Sequence, residues 1–121
     1  MKKKILIIED EPMLSDLLYE VLVDEGFIVE RTMSGEEGIK KIEDFNPDLI
    51  LLDILLPFIS GYDVLSWLKK QKKFSSIPVL VISNLGQEEE IKKSLSLGAK
   101  EHIIKSNFTL EEIVKKVKEF L

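Results

Sequence analysis

Lys3-Lys4-Ile5-Leu6-Ile7-Ile8-Glu9-Asp10-Glu11-Pro12 is the stretch on which the fold turns. Lys3 to Ile8 is a short run rich in isoleucine, the pattern of a β-strand buried on both faces. The run stops at consecutive acids. Pro12 suits the first turn of a helix, and Leu14, Leu17, Leu18, Val21 and Leu22 then recur at helical spacing until Gly26 ends it.

The same strand-then-helix unit recurs along the chain. Phe27 to Arg31 reads as a second strand. Ser34 and Glu37 have the capping-box spacing and open a helix that turns Ile39 and Ile42 inward, broken at Asn46-Pro47. Asp48 to Leu52 is a third strand, and a helix carrying Leu65, Trp67 and Leu68 starts near Gly61. Pro78 precedes a fourth strand, Val79 to Ile82. A fourth helix has Glu88, Glu89 and Glu90 at its positive N-terminal end and Gly98 beyond its last turn. Glu101 to Ile104 is the fifth strand. Thr109 and Glu112 form a second capping-box pattern, before a helix with Leu110, Ile113, Val114, Val117 and Phe120 on one face. This alternation predicts an α/β fold, a doubly wound five-stranded parallel sheet with five helices. No repeat or linker divides it, so residues 1–121 are expected to form a single domain ending with the fifth helix.

Composition narrows the function. With 22 acidic against 17 basic residues the net charge is -5, which argues against direct contact with nucleic acid. The lysine pairs lie among acids on helix surfaces, and Arg31 is the lone arginine. The apolar runs are far shorter than the roughly 20 residues of a membrane span, and Met1 with Lys2 to Lys4 precedes too short an apolar stretch for a signal peptide. There is no cysteine, hence no disulfide and no thiolate metal site. A cytoplasmic protein with no membrane contact is expected.

Ligands of such sheets bind beyond the carboxyl ends of the strands, at the switch point in strand order. The residues leaving those ends are Glu9 and Asp10, then Asp53, Ser83 and, after the fifth strand, Lys105. In the order 2-1-3-4-5, strands one and three are neighbours, and Glu9, Asp10 and Asp53 converge. Three such carboxylates repel one another unless a cation joins them. An oxygen-only donor set favours a hard ion such as Mg2+ or Mn2+. A lysine and a hydroxyl opposite complete a place for a tetrahedral phosphoryl group, and an aspartate is a workable nucleophile for it. Any one of these residues alone is an ordinary turn or surface residue; their joint fall at successive sheet exits is not.

At this point the chain resembles the receiver domains of two-component response regulators, the CheY-like branch of the flavodoxin-like folds. The resemblance runs from Ile5 through Leu121 and rests on Ile7-Ile8-Glu9-Asp10-Glu11-Pro12, on Leu51-Leu52-Asp53 with Pro57 and Gly61, on Pro78-Val79 leading to Ser83, and on Gly98-Ala99 leading to Lys105. It implies that Asp53 is the phosphoacceptor and that Asp10 and Asp53 ligate the metal directly. Glu9 acts through water and Leu55 through its backbone carbonyl. Ser83 becomes the switch hydroxyl and Lys105 the partner of Asp53 or its phosphoryl group. The implied partners are a sensor histidine kinase or histidine phosphotransfer protein, and a downstream protein on the face of the fourth helix, fifth strand and fifth helix, with homodimer formation on phosphorylation an open option. Such a domain is a signalling phosphoacceptor, not an enzyme, though it assists its own phosphorylation and slow dephosphorylation.

The chain also departs from the family. His102 stands where Tyr or Phe is usual. The simpler reading is a half-buried, polar-tipped spacer; the sharper one is a switch ring that makes output pH-sensitive. Ser106 replaces the usual proline after Lys105, leaving either a trans link with an altered loop or a cis bond costing about 2.5–4 kcal/mol. Gly38 is unusual within the second helix, as are Asn84 and Leu85 after Ser83. Neither Leu55 nor Leu85 can orient an attacking water, so a long-lived phosphoryl group is expected. A nucleotide- or flavin-binding module would need a glycine-rich phosphate loop where Glu9 to Pro12 stands. An Asp-based phosphatase would want an acid at Leu55. An interaction module regulated without phosphate is the remaining rival.

Overall fold

The structure, a computed structural model, describes residues 2–121; Met1, which entered the reading of the N-terminus, lies outside the described residues. The elements are β1 (Lys4–Ile8), α1 (Pro12–Asp24), β2 (Ile28–Thr32), α2 (Gly35–Phe45), β3 (Leu49–Leu52), α3 (Gly61–Lys70), β4 (Val79–Ser83), α4 (Glu88–Ser96), β5 (Glu101–Ile104), a 3-10 turn (Lys105–Asn107) and α5 (Leu110–Glu119). The strands pair in parallel, as the alternation implied, and in the expected order β2-β1-β3-β4-β5, one of the few doubly wound orders open to it.

Period-two alternation divides the sheet's apolar residues between two cores. Leu6, Ile8, Ile50, Leu52, Val79 and Val81 pack with Ile42, Val64, Leu65 and Leu68 of α2 and α3. Ile5, Ile7, Leu49, Leu51, Leu80 and Ile82 pack with Leu18, Leu22, Ile113 and Val117 of α1 and α5. Each such burial is worth about 1.5–3 kcal/mol, so both layers hold the sheet. Trp67 serves packing, its ring 6.4 Å from that of Phe74.

The differences from the expected boundaries have local causes. β2 starts at Ile28 because the Phe27 N–H donates to the Leu22 carbonyl at the end of α1, 3.2 Å away. β3 starts at Leu49, and Asp48 just before it is tied to Lys4 twice: its N–H donates to the Lys4 carbonyl at 2.7 Å and its carboxylate accepts from the Lys4 N–H at 2.8 Å. At the head of α2 only half of the expected capping box forms. The Glu37 N–H donates to Ser34 Oγ, but the Glu37 carboxylate takes the serine hydroxyl's hydrogen, not its backbone N–H. The Thr109–Glu112 box is complete, and so is a Ser60–Asp63 box that the sequence reading had not picked out. Gly38 is explained by close approach: a Cβ there would lie 2.5 Å from Ile8 Cδ1, so α2 packs this closely against β1 only without one, unless Ile8 shifts.

Candidate functional site

All five parallel strands present their carboxyl ends to one edge, and register decides which residues meet there. Ile8 of β1 lies opposite Leu52 of β3, so Glu9 and Asp53 follow side by side. The last rungs of the ladder fix both: the Asp53 N–H donates to the Ile8 carbonyl at 2.9 Å and the Glu9 N–H to the Thr32 carbonyl at 3.1 Å. Oxygens of Glu9, Asp10 and Asp53 all lie within 4.8 Å of one another. Glu9 and Asp53 are buried and Asp10 is exposed.

Lys105 reaches this cluster from the 3-10 turn after β5. Its Nζ is 3.0 Å from Glu9 Oε1, 3.2 Å from Asp53 Oδ2 and 3.4 Å from Glu11 Oε2. No cis peptide bond occurs among the described residues, so the Lys105–Ser106 link is trans. Of the two outcomes left open by the missing proline, the trans link is the one realised. The 3-10 turn still delivers the ammonium to the carboxylates.

Burial first, then the Asp53 charge, pushes the Glu9 carboxyl up to about 7, against the pull of Lys105 and the Glu11 N–H. Burial of the Lys105 ammonium acts to lower its pKa, but its bonds to Glu9 and Asp53 outweigh that and raise it. One ammonium thus compensates a carboxylate set that would accept more positive charge. Oxygen donors in excess of the cation present are what a hard divalent ion fits. Glu11 is the site residue to which the sequence reading gave no role; its signal was the third acid of an uninterrupted acidic turn.

Ser83 is wholly buried at the end of β4, its Oγ accepting from the Leu85 N–H at 3.1 Å. Leu55, two residues past Asp53, donates its N–H to Asp53 Oδ1 at 3.3 Å, and its side chain is exposed. A shallow cavity of about 300 Å³ opens beside Lys105, lined by Glu11, Met13, Leu14, Leu17, Asn84 and Ser106.

The family model for the response regulator receiver domain matches residues 5–118. The chain belongs to that family. The receiver domain is 33% identical over 121 residues to the phosphate regulon transcriptional regulatory protein PhoB of Rhizobium meliloti, covering 100% of this chain and 53% of that one. It is 36% identical over 121 residues to the alkaline phosphatase synthesis transcriptional regulatory protein PhoP of Bacillus subtilis, covering 100% and 49%. Its backbone matches the crystal structure of a CheY-like response regulator receiver domain protein from Methanospirillum hungatei with a TM-score of 0.90 at 29% identity, covering 98% of this chain and 93% of that one. The receiver domain spans about half the length of the curated relatives it matches.

Two details of this receiver domain lie outside the acidic cluster. His102 is half-buried, as a spacer would be, but both ring nitrogens are hydrogen-bonded, to Ser94 Oγ and to the Leu85 carbonyl. In the loop after Asp53, Phe58 is 93% exposed and adopts φ +67, a left-handed conformation costing a side chain about 1–2 kcal/mol. Phe58→Gly is therefore expected to stabilise the domain by about 1 kcal/mol, less a few tenths for the freer unfolded chain. A denaturant midpoint that falls in the variant would contradict this.

Proposed function

We propose that the domain accepts a phosphoryl group on Asp53 from a phosphohistidine and returns it to water slowly, with Ser83 coupling the event to a protein-binding surface. The observation that carries this is the Lys105 ammonium between Asp53 and Glu9, inside a set of three carboxylates. An Asp53 carboxylate oxygen attacks phosphorus, the bond to the donor imidazole nitrogen breaks, and the imidazole leaves with that bond's electron pair, taking up a proton. Lys105 holds the carboxylate in line and offsets charge on the phosphoryl oxygens. Glu9, Asp10, Asp53 and the Leu55 carbonyl are the groups that would hold Mg2+, which when bound supplies further neutralisation of phosphoryl charge. The added charge, about -1.5 to -2, draws the Ser83 hydroxyl and its loop towards it. The surface so changed lies on α4, β5 and α5, where a downstream partner or a second copy would read it. A sensor histidine kinase or phosphotransfer protein is the donor, and the domain acts as a phosphoacceptor rather than an enzyme with a separate substrate. No helix among the described residues is long and apolar enough to cross a membrane; the cytoplasm is the compartment we propose.

Intact-protein mass after incubation with acetyl phosphate tests this. One phosphoryl adduct is expected with magnesium and none with a chelator. Because Leu55 and Leu85 offer water no hydrogen bond, the adduct should outlast removal of the donor by far more than seconds. A chain that takes no phosphoryl group from acetyl phosphate or from a phosphorylated kinase is instead an interaction module regulated without phosphate.

Metal binding should also reshape the pH dependence of stability. Glu9 titrates at about 7 in the folded chain against 4.5 when unperturbed, so the folded state holds its proton more tightly. The resulting stabilisation is fully present below about 4.5 and is lost as pH rises to about 7. Magnesium competes for the same oxygens and needs them deprotonated. Its stabilisation, about 2.7 kcal/mol at a hundred times Kd, should therefore be large near pH 8 and small near pH 5. Thermal melts with and without the ion check this, and equal gains at both pH values would refute it.

A further inference from the structure

His102 is the only histidine of the chain. It lies away from the carboxylates, on the face of β5 that meets α4. Nε2 is 2.6 Å from the Leu85 carbonyl, and Nδ1 is 2.7 Å from Ser94 Oγ. The Ser94 hydroxyl is itself 3.0 Å from the Ile91 carbonyl, and Ser94 is wholly buried.

Proton counting limits the states of this network. A carbonyl only accepts, so Nε2 carries a hydrogen in every state. The Ser94 hydroxyl has one proton and two acceptors within reach. If it gives that proton to Nδ1, the ring is neutral. If it gives it to the Ile91 carbonyl, Nδ1 must donate in its turn, and the ring is an imidazolium. Neither state breaks a bond from the ring. The Ile91 carbonyl lies inside α4 and has the helix ladder in both. What changes is strength, because hydrogen bonds from an imidazolium are roughly twice as strong as those from a neutral ring.

The charged side chains around the ring are committed to other partners or face solvent. Neither β4 nor the segment 84–87 carries an ionisable side chain. On α4, Glu90 accepts from the Tyr62 hydroxyl of α3 at 2.6 Å, Lys93 lies 4.2 Å from the Tyr62 ring centroid, and Lys92 pairs with Glu88 at 3.0 Å; Glu89 is exposed. On β5 itself, Glu101 pairs with Lys116 of α5 at 2.9 Å, and Lys105, just past the strand, is held by the acidic cluster.

We propose that His102 is a proton-dependent clamp on the switch loop, its imidazolium form fastening Leu85 to β5 and α4 more tightly than its neutral form. This rests on the proposed movement of Ser83. Leu85 is two residues further on and its N–H is bonded to the Ser83 hydroxyl, so drawing Ser83 towards a phosphoryl group pulls on the His102–Leu85 bond. Protonation then opposes activation. By reciprocity, activation expels the proton. The sequence left a passive spacer and a pH-sensitive switch ring both open at this position; the two partners of the ring give it a chemical task.

A single histidine makes the test direct. The imidazole 15N resonances of His102 are followed across about pH 5 to 8 in the resting chain and in the chain saturated with beryllofluoride and magnesium. The activated chain should bind the imidazole proton about tenfold more weakly, the loss of one charge-assisted bond. His102→Phe should still take one phosphoryl group by mass, and the pH dependence of the Leu85 amide shift on activation should be lost, while the dependence that Glu9 imposes on amides at the carboxylate cluster remains. Ser94→Ala, which keeps the ring but removes the Nδ1 partner, should shrink the difference between resting and activated titrations. Coincident titrations in the two states, with the Asp53 adduct forming normally, overturn the clamp and leave the phosphoacceptor reading standing. Absence of any adduct removes the premise and the clamp with it.

Discussion

Asp53→Asn is expected to abolish the phosphoryl adduct entirely while leaving the metal-free domain no less stable than the wild type. Both halves come from the same geometry. The amide oxygen of asparagine is uncharged and a poor nucleophile, yet it has the shape to keep accepting from the Leu55 N–H, now 3.3 Å from Asp53 Oδ1. The substitution also removes the charge that, after burial, does most to hold Glu9 up at about 7. Glu9 then ionises at lower pH and keeps its 3.0 Å ion pair with Lys105, which loses one of three acidic partners. Near pH 8 the relief of repulsion offsets the lost ion pair, so the thermal midpoint without metal should hold or rise. The magnesium-induced gain should shrink, because the donor set has lost a charged member. An adduct that survives in the variant would place the nucleophile elsewhere. Loss of the adduct together with loss of the folded baseline would make the change a folding effect.

The sequence made the sheet legible for a physical reason. Ile5 to Ile8, Leu49 to Leu52 and Val79 to Ile82 are apolar on both faces, which only a doubly covered parallel sheet requires. Once the order is 2-1-3-4-5, the convergence of Glu9, Asp10 and Asp53 follows from the register alone. Lys105 was named but not secured, since a missing proline left its loop open. What no pattern could show were contacts between residues with no shared period. Leu85 and Ser94 meet His102 across 17 and 8 residues, through a loop whose path depends on α4 docking. Phe58 at φ +67 is equally silent, because a left-handed phenylalanine has no sequence signature.

Gly61 shows the same limit from the other side, and Gly61→Ala is expected to cost about 2–3 kcal/mol and to slow phosphorylation. The sequence marks Gly61 as a family position and as the start of α3, where alanine is ordinarily the better residue. Its φ is not left-handed, so freedom of the backbone is not what glycine supplies here. The constraint is contact. The Gly61 N–H donates to the Ile54 carbonyl at 2.8 Å, which folds the loop back until a Cβ would strike the Asp53 carbonyl oxygen. It would also lie 2.8 Å from Ile54 Cα and 2.9 Å from the Asp53 carbonyl carbon. Every one of these is a backbone atom, so no rotamer change relieves the clash, and the strain exceeds the alanine's helical gain. The thermal midpoint should fall by roughly 10 °C for a domain of this size. Relief can come only by moving α3 away or by displacing the peptide that carries Asp53. The second path shifts the nucleophile against the fixed ammonium of Lys105, so the acetyl phosphate reaction should slow even where the variant is fully folded. Gly38→Ala is the control, because there the clash is with the Ile8 side chain, which can rotate and does not carry the site. It should lose stability without a matching loss of phosphorylation rate. Equal rate losses in the two variants would mean that Gly61 acts through global stability and not through the position of Asp53.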